Sequence, residues 1–337
     1  MTVNTQPPDH AQIDTATPER ILDIATGYMA AKQLFAASRI HLFRALADGP
    51  LEAAGIAQAT GVSEQIARTL ADAMNSLGLL ERSSGAYSLT DDAAAYLGGR
   101  GELDLGPYLE FLNQISYGHW LQFDRTVDTT TPGDLQMDEE RWGTFMAGVM
   151  GYNSLHAAML ARQFDYTGFS SLLDLGGLSP DFALRALAAN PQLQATFVYD
   201  PQSTEIIEEA TTAAGVSDRI TITPEETATA TPSGSHDLVM VNHVLHRFDE
   251  AQNEHILSSA RAAAAPGATL LVLDFYLDDD ERQRRIDAVH AGEYFVIDGT
   301  IVYPQAQVKG WLTKAGWKLE KLLELPGSPR VLVATAQ

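Results

Sequence analysis

The chain has 337 residues, 45% of them hydrophobic, more than one typical domain and ample for a sizeable core. Its 44 acidic against 22 basic side chains give a formal net charge of −22, which repels phosphate backbones and anionic lipid and argues against nucleic acid or a membrane surface as partner. There is no cysteine, which rules out disulfides, thiolate nucleophiles and Cys-ligated metals. The longest dense apolar run, Leu270 to Leu277, carries Asp274 inside it and falls far short of the roughly 20 residues of a membrane span. Residues 1–18 read as a polar, Pro-bearing disordered tail without a signal peptide's apolar core, so a cytoplasmic location is expected.

Residues 19–100 form the first expected domain. Ile21, Ile24, Ala25, Tyr28 and Met29 recur at 3-and-4 spacing, and the helical pattern runs on to Leu46 before Asp48-Gly49-Pro50 stops it. Leu51 to Ala59 and Ser63 to Leu77 follow, with Ser63 placed to cap the second helix. Alternation from Leu79 to Thr90 around Ser84-Gly85 predicts a hairpin. Helix, turn, helix and hairpin make a winged helix. A DNA reader needs several cations, however, and the helix from Ser63 to Asn75 offers Arg68 against Glu64 and Asp72. A dimerisation module is the better reading, with Leu34, Phe35, Ile40, Leu42 and Phe43 available for burial.

Residues 101–165 form a helical connector dense in bulky side chains. At helical spacing such residues are first of all core. As a group, Phe111, Tyr117, Trp120, Phe145, Met146, Met150, Tyr152 and Asn153 also suit the wall of a pocket for a flat apolar ligand.

From residue 166 to 337 the texture becomes α/β. Leu172 to Gly177, Ala195 to Asp200, Arg219 to Thr223, Asp237 to Asn242 and Thr269 to Phe275 read as strands separated by helices. A Pro266-Gly267 turn precedes the fifth, and two strands close the chain after a helix over Gln305 to Ala315. Such alternation predicts a doubly wound parallel sheet with ligands at the carboxyl ends of its strands. Three features fall at those ends. They are the turn Gly176-Gly177, the acid Asp200 one βα unit later, and the segment Asn242 to Asp249 with His243 and His246.

Together with Leu173-Asp174-Leu175-Gly176-Gly177, Asp237-Leu238-Val239, Ala264 to Ala268 and Leu312 to Trp317, these features resemble the S-adenosylmethionine-dependent small-molecule O-methyltransferases of plant phenylpropanoid and bacterial natural-product pathways. The likeness covers residues 19–337. It implies a class I methyltransferase-type doubly wound sheet behind an N-terminal winged-helix dimerisation domain, a homodimer, and S-adenosylmethionine as cofactor. It implies His246 as general base, with Glu293 or Asp298 as the acid that steadies it. Gly176, Gly177, Asp200, Glu225 and Asn242 would hold the cofactor. A phenol or enol must shed a proton as it attacks a methyl group, and a histidine with a pKa of about 6.5 can take it at neutral pH. His243 and His246, with His236 and His255 further off, also invite a metal reading, but no acid stands beside them at a recognisable ligand spacing, so none is expected.

The pattern breaks in two places. Leu178 and Pro180 stand where the family has further glycines, which adds a branched side chain and removes an N–H at the helix entry. After the third strand, Thr223-Pro224-Glu225-Glu226-Thr227 lacks the family's glycine and aromatic. These losses point to a weakened cofactor site. They leave open a cofactor-independent enzyme performing cyclisation, a pericyclic step or other proton transfer, and also a non-catalytic dimer partner or binding module. Methyl transfer to a hydroxyl is the reaction the resemblance implies.

Overall fold

The computed structural model describes residues 17–337, so all but the last two residues of the polar tail lie outside the described residues. Two compact units, Met1–Gly106 and Pro107–Gln337, divide the chain.

In the first unit, the helix Glu19–Arg39 ends before His41, whose φ of 60° turns the chain into the short helix Leu42–Ala45. Strand β1 (Leu51–Glu52), the helices Ala53–Thr60 and Glu64–Ser76, and strands β2 (Leu80–Ser83) and β3 (Ala86–Leu89) follow. The Ser63 hydroxyl accepts from the Ile66 N–H at 3.3 Å, the expected cap. Ser84 and Gly85 both take positive φ, 49° and 91°, the requirement of a tight two-residue hairpin. The sheet order β1-β3-β2 completes the wing. One expectation is corrected here. Leu42 and Phe43 are buried in the unit's own core, Leu34 and Ile40 pack against it, and Phe35 is buried as well. The apolar residues left exposed are Ile21, Leu22, Ile24, Tyr28 and Met29, earlier on the first helix.

The second unit is built on a seven-stranded sheet of β4 (Ser171–Leu175), β5 (Gln194–Tyr199), β6 (Ile220–Pro224), β7 (His236–Asn242), β8 (Ala264–Asp274), β9 (Trp317–Glu324) and β10 (Arg330–Ala336), in the order β6-β5-β4-β7-β8-β10-β9. The first five neighbours run parallel, and β10 is antiparallel to both β8 and β9. Parallel strands covered on both faces need continuous apolar runs, and Leu173, Leu175, Val239, Val241, Leu270 and Val272 are fully buried. Each contributes roughly 1.5–3 kcal/mol.

Two differences from expectation bear on the site. β8 starts at Ala264, so Pro266-Gly267 is a kink within a strand, where Gly267 has φ 75° and the pairing register shifts opposite His236. The helix Arg285–Ile297 has almost no amphipathic periodicity and was not anticipated. It is fixed by ions and hydrogen bonds: buried Asp287 accepts from the Tyr276 N–H at 3.0 Å and from Arg284 at 3.0 Å. Arg330 of β10 lies 3.5 Å from Asp287 and also pairs with Asp278.

Candidate active site

The register Asn242↔Leu273 brings the tips of β7 and β8 side by side. β8 ends on Asp274, 1% exposed, and the chain beyond β7 turns sharply through His243 with φ 55° into the short helix Leu245–Arg247. There the His246 Nδ1 lies 3.0 Å from each Asp274 carboxylate oxygen, and the His246 backbone N–H donates to Oδ2 at 3.3 Å. A carboxylate only accepts, so Nδ1 carries the proton and Nε2 keeps its lone pair. Burial works to raise the Asp274 carboxyl, but His246 beside it and the bonds it accepts outweigh burial and hold it below the ordinary carboxylate value.

Behind this pair, the His156 Nδ1 and His243 Nε2 are 2.8 Å apart, both rings buried. Burial lowers His243 to about 3, against the pull of Asp274, and lowers His156 well below the usual histidine value. Both rings are therefore neutral at neutral pH, one donating to the other's lone pair. His243, His246 and Asp274 also offer ligand atoms within 4.8 Å of one another. An acid thus does stand beside these histidines, contrary to the sequence expectation, although the His246 Nδ1 and His243 Nε2 are already engaged in hydrogen bonds.

A cavity of about 310 Å³ adjoins His246. His246, His243, Arg247, Leu178, Tyr294 and His290 line it, together with Tyr108, Phe111, Phe145, Tyr152 and Asn153. The Tyr108 and Tyr152 rings stack at 4.0 Å, and the Tyr294 ring sits 4.5 Å from His246. The Tyr152 hydroxyl is 3.1 Å from the His290 Nε2, while the His290 Nδ1 is held by the Ile286 carbonyl at 2.7 Å. That bond makes Nδ1 the donor and Nε2 the acceptor from tyrosine. Burial pushes Tyr152 up to about 12, so it stays a donor.

On the other side of the β7 loop lies the glycine turn. Gly176 has φ 76°, and a Cβ there would come within 2.2 Å of the Thr227 side chain, so only glycine fits. The Asp200 Oδ1 accepts from the Thr227 N–H at 2.7 Å and the Thr227 hydroxyl at 2.9 Å. Arg247 bridges the turn and the acid, donating to the Gly176 carbonyl at 2.7 Å and to the Asp200 Oδ2 at 3.2 Å. Pro180 sits comfortably ahead of the helix Asp181–Ala189 with φ −71°.

The structure redistributes several expected roles. Glu293 does not reach His246 by any hydrogen bond described. Its Oε2 accepts from the Ser116 hydroxyl at 2.9 Å and the Trp120 indole at 2.5 Å, and burial raises its carboxyl against both bonds. Asp298 caps its own turn through Thr300. Asp274 holds the imidazole instead. Its signal in the sequence was a lone acid at the end of an apolar strand. Of the eight pocket residues expected, Phe111, Phe145, Tyr152 and Asn153 line the cavity, while Trp120 stands behind Glu293 and Tyr117, Met146 and Met150 are not on its wall. Asn242 is buried and accepts from the Leu273 N–H at 3.1 Å, locking β7 to β8. Glu225 staples its own loop through the Thr231 N–H at 2.8 Å. Gly177 lies against the Tyr199 hydroxyl, which a Cβ would approach to 2.5 Å.

Comparison with known proteins agrees with this geometry. Residues 111–318 match the O-methyltransferase domain, and residues 22–99 match the O-methyltransferase dimerisation domain. The 3-hydroxy-5-methyl-1-naphthoate 3-O-methyltransferase of Streptomyces sahachiroi is 32% identical over 308 residues, 89% of each chain. The tetracenomycin polyketide synthesis 8-O-methyltransferase of Streptomyces glaucescens is 26% identical over 313 residues, 89% of this chain and 91% of that one. The fold superposes on human N-acetylserotonin methyltransferase in complex with SAM, with a TM-score of 0.78 at 21% identity, covering 98% of this chain and 99% of that one. None of these names points to a cyclase or to a non-catalytic partner, and the strand-tip histidine, the glycine turn and all of the named cavity residues but Tyr108 occur within the matched methyltransferase domain. The chain belongs to the O-methyltransferase family, with a methyltransferase domain preceded by the family's dimerisation domain.

Proposed function

We propose that the protein transfers a methyl group from S-adenosylmethionine to a hydroxyl of a flat, fused-ring aromatic or polyketide-like substrate, with His246 as general base. The observation that carries this reading is the His246–Asp274 pair at the edge of an aromatic cavity. Asp274 fixes the tautomer that leaves Nε2 free, and it stabilises the imidazolium formed when Nε2 takes the substrate proton. Tyr108, Phe111, Phe145 and Tyr152 give the cavity an aromatic lining suited to a planar ring system. About 310 Å³ is at the small end of ligand cavities, which run from about 300 to 1,000 Å³, and suits a compact fused-ring acceptor. The hydroxynaphthoate in the name of the Streptomyces sahachiroi relative is such a molecule.

The residues around Gly176 fit the cofactor. A backbone carbonyl and a carboxylate face one guanidinium there, an acceptor set that equally suits an ammonium group and ribose hydroxyls. When bound, S-adenosylmethionine supplies an electrophilic methyl group. Gly176 and Asp200 would hold it, and Leu178 would form part of the wall between the glycine turn and the cavity. The loss of glycines at 178 and 180 then alters the packing around the cofactor without removing its acceptors. The exposed Ile21, Leu22, Ile24, Tyr28 and Met29 fall in or beside the matched dimerisation domain and supply the apolar face of a homodimer. Residues 101–165 act as the connector that contributes cavity wall.

The test uses S-adenosylmethionine carrying a labelled methyl group with a panel of hydroxynaphthoates and polycyclic phenols. Label is expected in the extracted aromatic product with the wild-type protein and is lost in His246→Ala of unchanged circular dichroism. Failure of wild type to bind S-adenosylmethionine at millimolar concentration in calorimetry overturns the reading.

A further inference from the structure

We propose that Arg247 is a built-in occupant of the cofactor site, which S-adenosylmethionine must displace, so that this side chain sets cofactor affinity. The inference rests on the reading of Gly176 and Asp200 as cofactor acceptors. Both are already engaged from within the chain: the Arg247 Nη1 donates to the Gly176 carbonyl at 2.7 Å and Nη2 to the Asp200 Oδ2 at 3.2 Å. The other Asp200 oxygen is taken by the Thr227 N–H and hydroxyl at 2.7 and 2.9 Å. Three donors thus occupy a carboxylate with about four acceptor sites, which leaves too few for both hydroxyls of a ribose unless one of these donors withdraws.

Arg247 is the donor able to withdraw. Thr227 is held by its own backbone and by a two-point contact. Arg247 ends a long flexible stem, its side chain is 19% exposed, and it already borders the cavity beside His246. Its guanidinium also lies 5.1 Å from the Phe248 ring while it holds the acceptor pair, a contact that a small movement off the acceptors need not break. Breaking a charged hydrogen-bonded pair in a half-buried cleft costs free energy that any ligand of these acceptors must overcome, whatever the ligand's own charge. The cost falls equally on S-adenosylmethionine and on S-adenosylhomocysteine, which lacks the sulfonium charge. A simple repulsion between guanidinium and sulfonium would weigh on the first alone.

Calorimetric titration of the full-length wild type, Arg247→Ala and Arg247→Lys with each of these two ligands separates the cases. Displacement predicts that Arg247→Ala tightens both by a similar factor, about tenfold or more, with Arg247→Lys between. Melting of the ligand-free Arg247→Ala protein falls, and its rise on adding S-adenosylhomocysteine exceeds that of wild type. In wild-type protein with ¹⁵N-labelled arginine, the side-chain Nε–H signal missing from Arg247→Lys should move on titration, a readout that needs no Ala variant. Weaker binding of both ligands by Arg247→Ala overturns the inference by making Arg247 a cofactor contact. Tightening of S-adenosylmethionine alone, or unchanged affinity, overturns it while the cofactor reading stands. If neither wild type nor Arg247→Ala binds either ligand, the cofactor reading falls and the inference with it.

Discussion

His246 and Asp274, 28 residues apart in sequence, meet at the tips of adjacent parallel strands with Nδ1 at 3.0 Å from both carboxylate oxygens. The bond decides which ring nitrogen can accept a proton. An asparagine at 274 can present its N–H to Nδ1 and move the ring proton to Nε2, which disarms the base. Asp274→Asn is expected to lower turnover by roughly 10² to 10⁴ with cofactor affinity retained. Steady-state methyl transfer paired with calorimetry checks it, and near-normal turnover would remove Asp274 from the mechanism.

His243 is a buried neutral histidine lowered to about 3. As pH falls, the unfolded chain takes up this proton first, near the ordinary value of about 6.5. The stability it contributes is complete above that value and is lost progressively down to about pH 3. In the folded protein its ring should show no titration between pH 8 and 5.5 when followed by histidine Hε1 chemical shifts. A midpoint inside that window is incompatible with the buried pair with His156.

Asp174 has the opposite sign. Burial raises it to about 7, opposed by the Tyr199 hydroxyl. Its contribution is present below the unfolded value of about 3.9 and is lost as pH rises through about 7. Asp174→Asn keeps the shape without the ionisation. The melting temperature of the variant relative to wild type should therefore climb between pH 5 and pH 8, by about 5 °C. A difference that stays flat with pH shows that Asp174 is not held protonated.

Ile21 and Ile24 are 72% and 73% exposed on the first helix, with little intramolecular packing to lose. Replacing both with glutamate should halve the mass seen by light scattering while leaving the circular dichroism melt of each unit in place. Retention of the dimer mass would move the interface elsewhere.

The sequence by itself determined the architecture. Strands buried on both faces must be continuous apolar runs, so Leu172 to Leu175, Val239 to Val241 and Leu270 to Leu273 announced the parallel sheet, and the glycine turn, Asp200 and His246 fell at its ligand-binding edge. Local rules also placed the Ser63 cap and the Ser84-Gly85 hairpin, because a cap and a tight turn depend on only a few consecutive residues. The partners of the site residues were decided only in three dimensions. Asp274 reaches His246 because the register Asn242↔Leu273 aligns two strand tips. Glu293 was drawn off by Ser116 and Trp120 from elements more than 170 residues away. The helix that carries Glu293 has no amphipathic stripe to advertise it, being fixed by Asp287, Arg284 and Arg330. Arg247 showed in the sequence only as the neighbour of a histidine, and its grip on Gly176 and Asp200 exists because three loops converge at one sheet edge. A hydrogen bond has a range of one contact and no sequence period, so it is set by packing and leaves no pattern along the chain.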